Sequence, residues 1–124
     1  MIIGIGTDIV NIERIERILE KYGEVFLQKN FHQLEIERYN SLVSGKQAAY
    51  LAKRFAAKEA FAKALGSGIG KMVAFRDIAV INNDAGMPQL LVSADKIPDV
   101  TNYNIQISLS DDYPFAVAFV VITS

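Results

Sequence analysis

Asp8 and Glu59 are the two carboxylates that stand out, one at the end of an N-terminal strand-like run and the other inside a long helical run. Hard oxygen ligands of this kind suit magnesium, which takes one or two protein carboxylates and completes its shell with water and phosphate oxygens. Spacing alone does not bring the pair together in space. Glu59 shares a helix face with Phe55 and Lys63 at successive i, i+4 positions. On a solvated helix Glu59 and Lys63 would form an ordinary ion pair of about 0.3–0.5 kcal/mol. Two features point further. Small alanines along the segment admit close approach by other groups, and Gly66-Ser67-Gly68-Ile69-Gly70 follows directly. A glycine-rich turn lets backbone N–H groups reach an anion without Cβ interference, although the dipole at a helix C-terminus has the wrong sign for one. The lysine position excludes a P-loop, and Gly4-Ile5-Gly6 lacks the third glycine of a dinucleotide fingerprint.

Composition bounds what these residues can do. The chain has 124 residues, 51% of them hydrophobic, which is enough for one core and leaves no room for two, so residues 1–124 are expected to form a single domain. Thirteen Lys plus Arg against fourteen Asp plus Glu leave a net charge of −1, so no global basic field argues for nucleic acid. The absence of cysteine removes disulfides, thiolate metal sites and thiol nucleophiles together, and the single histidine, His32, rules out any site needing two imidazoles. The N-terminus lacks a basic leader region, and no apolar run approaches the ~20 residues needed to cross a bilayer. A cytoplasmic protein without a membrane partner is the expectation.

The elements that must position the candidates follow from periodicity. Met1–Val10 reads as a β-branched strand loosened by Gly4 and Gly6 and carrying Asp8 near its end. Asn11 is placed to cap a helix whose apolar residues Ile12, Ile15, Ile18, Leu19 and Tyr22 recur until Gly23. Val25–Phe31 is ambiguous. Leu34–Val43 is mostly helical and ends near Ser44-Gly45, and Gln47–Leu65 is a helix with no internal Gly or Pro. The second half changes to strand-like runs at Ile78–Asn82, Gln89–Val92, Ile105–Leu109 and Phe115–Ile122, with turns at Asn83-Asp84-Ala85-Gly86 and Asp111-Asp112-Tyr113-Pro114. Helices first and antiparallel strands later predict an α+β fold. The last strand is apolar at nearly every position, so both its faces should be covered, in so small a chain by subunit association.

Three segments, GIGTDIV (Gly4–Val10), RFAAKEAFAKALGSGIG (Arg54–Gly70) and GMP (Gly86–Pro88), resemble in order and spacing the diagnostic segments of the holo-acyl-carrier-protein synthases, a family of 4′-phosphopantetheinyl transferases. The resemblance implies N-terminal helices packed on an antiparallel sheet and a homotrimer with clefts between subunits. It implies a transfer of phosphopantetheine from coenzyme A to a serine of acyl carrier protein, releasing adenosine 3′,5′-bisphosphate, in support of fatty acid synthesis. Asp8 and Glu59 then hold magnesium against the pyrophosphate, and Lys63 contacts phosphate and offsets charge. Arg54, Gly66, Ser67 and Gly68 match positions lining the cofactor cleft, and Gly86 and Pro88 match the loop that borders the adenine pocket from a neighbouring subunit. The resemblance assigns proton removal less clearly; Glu59, or a water held by the metal, is the preferred base. One departure is Asp111, which stands where many members have histidine. It either contacts cofactor or caps the following turn.

Three further residues invite assignment. His32 sits at an N-cap-like position, and Glu35 either lines the cleft or closes a capping box. On the first helix Arg14, Arg17 and Lys21 form a cationic stripe around Ile18, with Glu13, Glu16 and Glu20 on a neighbouring face. Acyl carrier proteins are acidic and helical, so the stripe would steer docking; the alternative is a solvated face with intrahelical Glu/Arg pairs. The competing classes are a non-catalytic trimeric scaffold and a nucleotide hydrolase with similar metal and phosphate features.

Overall fold

The computed structural model describes residues 1–66 and 73–124. Among them the chain runs β1 (Ile2–Asn11), α1 (Ile12–Tyr22), α2 (Glu24–Asn30), α3 (Gln33–Ser41), α4 (Ser44–Leu65), β2 (Ala79–Asn82), β3 (Pro88–Leu91), β4 (Asn104–Asp112) and β5 (Phe115–Thr123). Helices precede most of the strands, which is the expected α+β arrangement. The strands make two antiparallel sheets: β1-β5-β4, with the last strand in the centre, and the β2-β3 hairpin.

Local chemistry explains most boundaries. Asn11 Oδ1 accepts from the Glu13 N–H at 2.9 Å and caps α1. Gly23 and Gly66 end α1 and α4 at positive φ (+45° and +77°), their N–H groups returning to Leu19 O and Lys63 O. His32 caps α3 through Nδ1, while the Glu35 carboxylate accepts from the His32 N–H, so the capping box is formed. The ambiguous run after Gly23 is a short helix. Ser44-Gly45 does not end α3 but opens α4: the Ser41 hydroxyl turns back onto Arg38 O at 2.6 Å and closes α3 there. Gly45 is tolerated in the first turn of α4, where N–H groups need no intrahelical partner.

The strand β1 meets α4 more closely than side chains allow. A Cβ at Gly4 would lie 1.9 Å from Ala64 O, and one at Gly6 1.9 Å from Ala60 O. These glycines do not loosen the strand; they let its backbone rest on one turn of α4, opposite two alanines spaced i, i+4. The next inward positions of β1 are Asp8 and Val10. On β5 the inward residues Ala116, Ala118, Val120 and Ile122 are fully buried against the helices. Its other face is open within one chain: Phe119 is 43% exposed, and its neighbours on β1, Ile5 and Ile9, are 59% and 62% exposed. Among the described residues one chain therefore covers only one face of β5 and lays no second layer on the outside of the three-stranded sheet, which leaves the other face for the subunit association expected from the sequence.

Candidate active site

The close crossing of β1 over α4 delivers the first three candidates to one place. Lys63 extends back across β1, donating to Thr7 O at 2.9 Å and to Asp8 Oδ1 at 3.2 Å. Glu59, one turn earlier on α4, joins Asp8 in the wall of a cleft of about 490 Å³ whose other residues include Arg14, Ile18, Phe26 and Phe55. Partial burial pushes the Glu59 carboxyl above its ordinary value and the negative charge of Asp8 adds to this, while Lys63 pulls it down. Two carboxylates that repel one another beside a single ammonium form a charge-unbalanced pair. The aromatic floor is continuous: Phe55 packs edge-on against Phe75 at 5.4 Å and faces Phe26 at 6.3 Å.

The stripe on α1 opens onto this same cleft through Arg14 and Ile18. Arg17 and Lys21 are exposed beyond it, and among the described residues none of the three cations has an acidic partner, so the intrahelical Glu/Arg pairs are not formed. Glu16 instead accepts from the Tyr113 hydroxyl at 3.0 Å, and the Ile12 N–H donates to Pro114 O at 2.7 Å. Both contacts tie α1 to the β4-β5 turn.

A second set of candidates lies elsewhere on the chain. Arg54 is buried; its Nε donates to Val80 O at 3.3 Å, one terminal nitrogen to Asn82 Oδ1 at 3.0 Å, and its guanidinium carbon stands 4.2 Å from the Tyr50 ring centroid. It does not line the Asp8 cleft. It lies five positions before Glu59 along the helix, which turns its side chain well away from that face. Gly86, at φ +83°, and Pro88 belong to the β2-β3 hairpin, whose turn is fastened by Asn83 Oδ1 accepting from the N–H groups of Ala85 and Met87, each at 2.9 Å. Asp111 lies within β4, where it pairs with Lys53 of α4 at 2.8 Å. The capping role for Asp111 is therefore not the one it plays, because β4 extends through Asp112 and the turn is left to Tyr113-Pro114. Of the glycine-rich turn, Gly66 ends α4, while Ser67 and Gly68 lie outside the described residues.

Glu35 does not line a cleft either; it is fully buried and paired with Lys58, which is buried as well. Lys58 and Asn82 had no distinguishing sequence signal beyond their neighbours, Glu59 and the hairpin turn.

A family model for the 4′-phosphopantetheinyl transferase superfamily matches residues 4–118. The chain belongs to that superfamily. It is 46% identical to a holo-[acyl-carrier-protein] synthase of Orientia tsutsugamushi (strain Ikeda), over all of this chain and 98% of the relative. Its fold is similar to that of the Neisseria meningitidis holo-[acyl-carrier-protein] synthase, with a TM-score of 0.89 at 39% identity over the whole of both chains. It is also similar to the Bacillus anthracis enzyme of that name, solved in complex with CoA (3′,5′-ADP), with a TM-score of 0.86 at 41% identity, covering all of this chain and 98% of the other. Among the described residues no three or more His, Cys, Asp or Glu side chains are gathered into a metal-binding group.

Proposed function

We propose that this chain is a holo-acyl-carrier-protein synthase that transfers 4′-phosphopantetheine from coenzyme A to a serine of acyl carrier protein. The observation that carries the reading is the meeting of Asp8 and Glu59 at one cleft wall, with Lys63 bonded to Asp8, in a chain 46% identical over its full length to a relative of that name. In the reaction the serine Oγ forms a bond to the phosphorus of the phosphopantetheine arm, and the bond from that phosphorus to the bridging pyrophosphate oxygen breaks. Adenosine 3′,5′-bisphosphate leaves with that oxygen. Lys63 already spans β1 and α4 with its ammonium at the carboxylates, so it is placed to hold a pyrophosphate oxygen and offset the charge on the leaving group. Glu59, whose carboxyl is held above its ordinary value, accepts the serine proton.

Asp8 and Glu59 fit magnesium, because two hard carboxylates with unbalanced negative charge are the protein's usual share of such a site when phosphate oxygens complete it. When bound, magnesium supplies Lewis-acid polarisation of the phosphoryl oxygens. Mass spectrometry of apo-carrier protein incubated with coenzyme A and magnesium tests the function: the carrier should gain the phosphopantetheine mass, and an unmodified carrier overturns the reading.

Gly86, Pro88, Arg54 and Asp111 complete the cofactor cleft from a neighbouring subunit of a homotrimer. Two observations support this: these residues lie away from the Asp8 cleft within one chain, and the outer face of β1 and β5 exposes Ile5, Ile9, Val117 and Phe119 side by side. Gly66, Ser67 and Gly68 serve the cofactor as the turn that follows α4 in the sequence. Replacing Phe119 by Glu should turn a sedimenting trimer into monomers and abolish transfer; an active monomer of the wild-type at micromolar concentration would sink the assembly.

Arg14, Arg17, Ile18 and Lys21 dock the acidic carrier protein at the mouth of the cleft. Changing the three cations to Glu should raise the carrier KM by about tenfold or more, flatten its salt dependence and leave the coenzyme A KM unchanged. Unchanged carrier kinetics at two ionic strengths would return the first helix to an ordinary solvated face.

A further inference from the structure

Lys58 and Glu35 are the most deeply buried charged pair among the described residues, and the site chemistry uses neither. Lys58 Nζ satisfies three acceptors: the Glu35 carboxylate, Asn30 O at 2.9 Å and Phe75 O at 3.0 Å. It also stands 4.9 Å from the Phe31 ring centroid. Glu35 in turn accepts from the Val80 N–H at 3.0 Å through Oε2 and from the His32 N–H at 3.0 Å through Oε1. No buried side-chain nitrogen or oxygen among the described residues lacks a partner, so the network is closed.

Its outer end is unusual. Val80 lies in β2, and in its antiparallel pairing with β3 it stands opposite Leu90. Its N–H goes to Glu35, and its C=O receives Arg54 Nε at 3.3 Å. Both main-chain groups of Val80 thus point away from β3, along a buried strand edge where a third strand would otherwise pair. Two buried charged side chains replace that strand. The same guanidinium holds Asn82 Oδ1, at the last residue of β2 before the Gly86 turn. The hairpin is therefore fastened through Val80 and Asn82, by Glu35 from α3 and by Arg54 from α4, the helix that also carries Glu59 and Lys63.

We infer that Glu35, Lys58 and Arg54 form a clamp on Val80 that sets the position of the β2-β3 hairpin, so that the Gly86-Met87-Pro88 loop presents itself correctly to coenzyme A in the neighbouring subunit's cleft. Glu35 and Lys58 are positioning residues; they act through the hairpin and touch no substrate. The inference rests on the proposed trimeric transferase. Charged groups suit the task because a buried ion pair with every hydrogen bond made tolerates little displacement, whereas apolar contacts can slide.

The test uses the assembled full chain. Lys58→Met alone leaves a buried carboxylate without its cation, so it is accompanied by the double variant Glu35→Gln with Lys58→Met, which removes both charges at similar volume. Coenzyme A binding is measured by calorimetry, and transfer kinetics are measured against coenzyme A and against apo-carrier protein. In the double variant the Kd and KM for coenzyme A should rise about tenfold or more, with kcat and the carrier KM within about twofold of wild-type. Mixed with Asp8→Ala chains, it should regain transfer at the wild-type coenzyme A KM, because one cleft then combines an intact Asp8 side with an intact hairpin. A lowered unfolding temperature with unchanged coenzyme A affinity overturns the clamp. So does an equal loss for both substrates, absence of recovery on mixing, or failure of the double variant to fold. Wild-type transfer in the same assay is the control on function: if it is absent, the transferase reading falls, while the calorimetric comparison still decides the clamp.

Discussion

Asp8→Ala and Glu59→Ala are each expected to lower kcat/KM for phosphopantetheine transfer by about 10³-fold or more while the fold stays intact. Asp8 has a single ion-pair partner among the described residues, Lys63, whose side chain is more than half exposed, so the stability lost with that pair is at most about 1 kcal/mol. Glu59 sits in an environment that disfavours its charge, with burial first and Asp8 second among the causes. Removing either carboxylate relieves that repulsion. Activity should therefore collapse while the thermal midpoint holds or rises slightly, the signature of residues kept for chemistry at some cost to folding. The mass of the carrier protein and a melting curve on the same preparation check both halves. Turnover near wild-type at ordinary magnesium concentration in either variant would remove Asp8 and Glu59 from the site.

The opposite signature is expected at Gly6. Gly6→Ala would place a Cβ 1.9 Å from Ala60 O and 2.9 Å from Ala64 N, both backbone atoms of a buried helix that no side-chain rotation can move aside. Either β1 or α4 must shift by more than 1 Å, roughly, to restore van der Waals separation, opening the core beside the fully buried Phe61 and Val120. The cost should reach about 4 kcal/mol, which for a chain of this size lowers the melting temperature by more than ~10 °C. Gly45→Ala is the internal control. Nothing lies within 4 Å of a Cβ there, and the residue is in a helix, so the substitution should stabilise by about 0.5–1 kcal/mol. Equal melting curves for the Gly6 and Gly45 variants would show that β1 can leave α4 at little cost.

Gly6 also shows where sequence and structure part. In the sequence Gly4 and Gly6 read as defects in a β-branched strand. Their role depends on Ala60 and Ala64, residues far away in the chain, and no local pattern announces such a contact. Local features fared differently. The Asn11 cap, the His32 and Glu35 capping box, and the glycine stops at 23 and 66 were all legible, because each is settled by bonds within about four residues. Ser44-Gly45 misled for a related reason: Gly and Ser punctuate either end of a helix, and only the closure of α3 by Ser41 decided which end this was.

The candidate site divides in the same way. The sequence alone determined the α+β order of elements, the helix face bearing Phe55, Glu59 and Lys63, and a motif series specific enough to point to the family. These depend on residue type and short spacing, which the chain carries with it. Tertiary structure decided that Asp8 reaches Lys63 while Arg54 and Asp111 turn to other partners, that one face of β5 stays uncovered, and that Lys58, apparently one more helix cation, is a buried strut against Glu35. Those outcomes depend on which backbones can approach closely and which charges can leave water in pairs, and both are properties of the packed chain rather than of any segment of it.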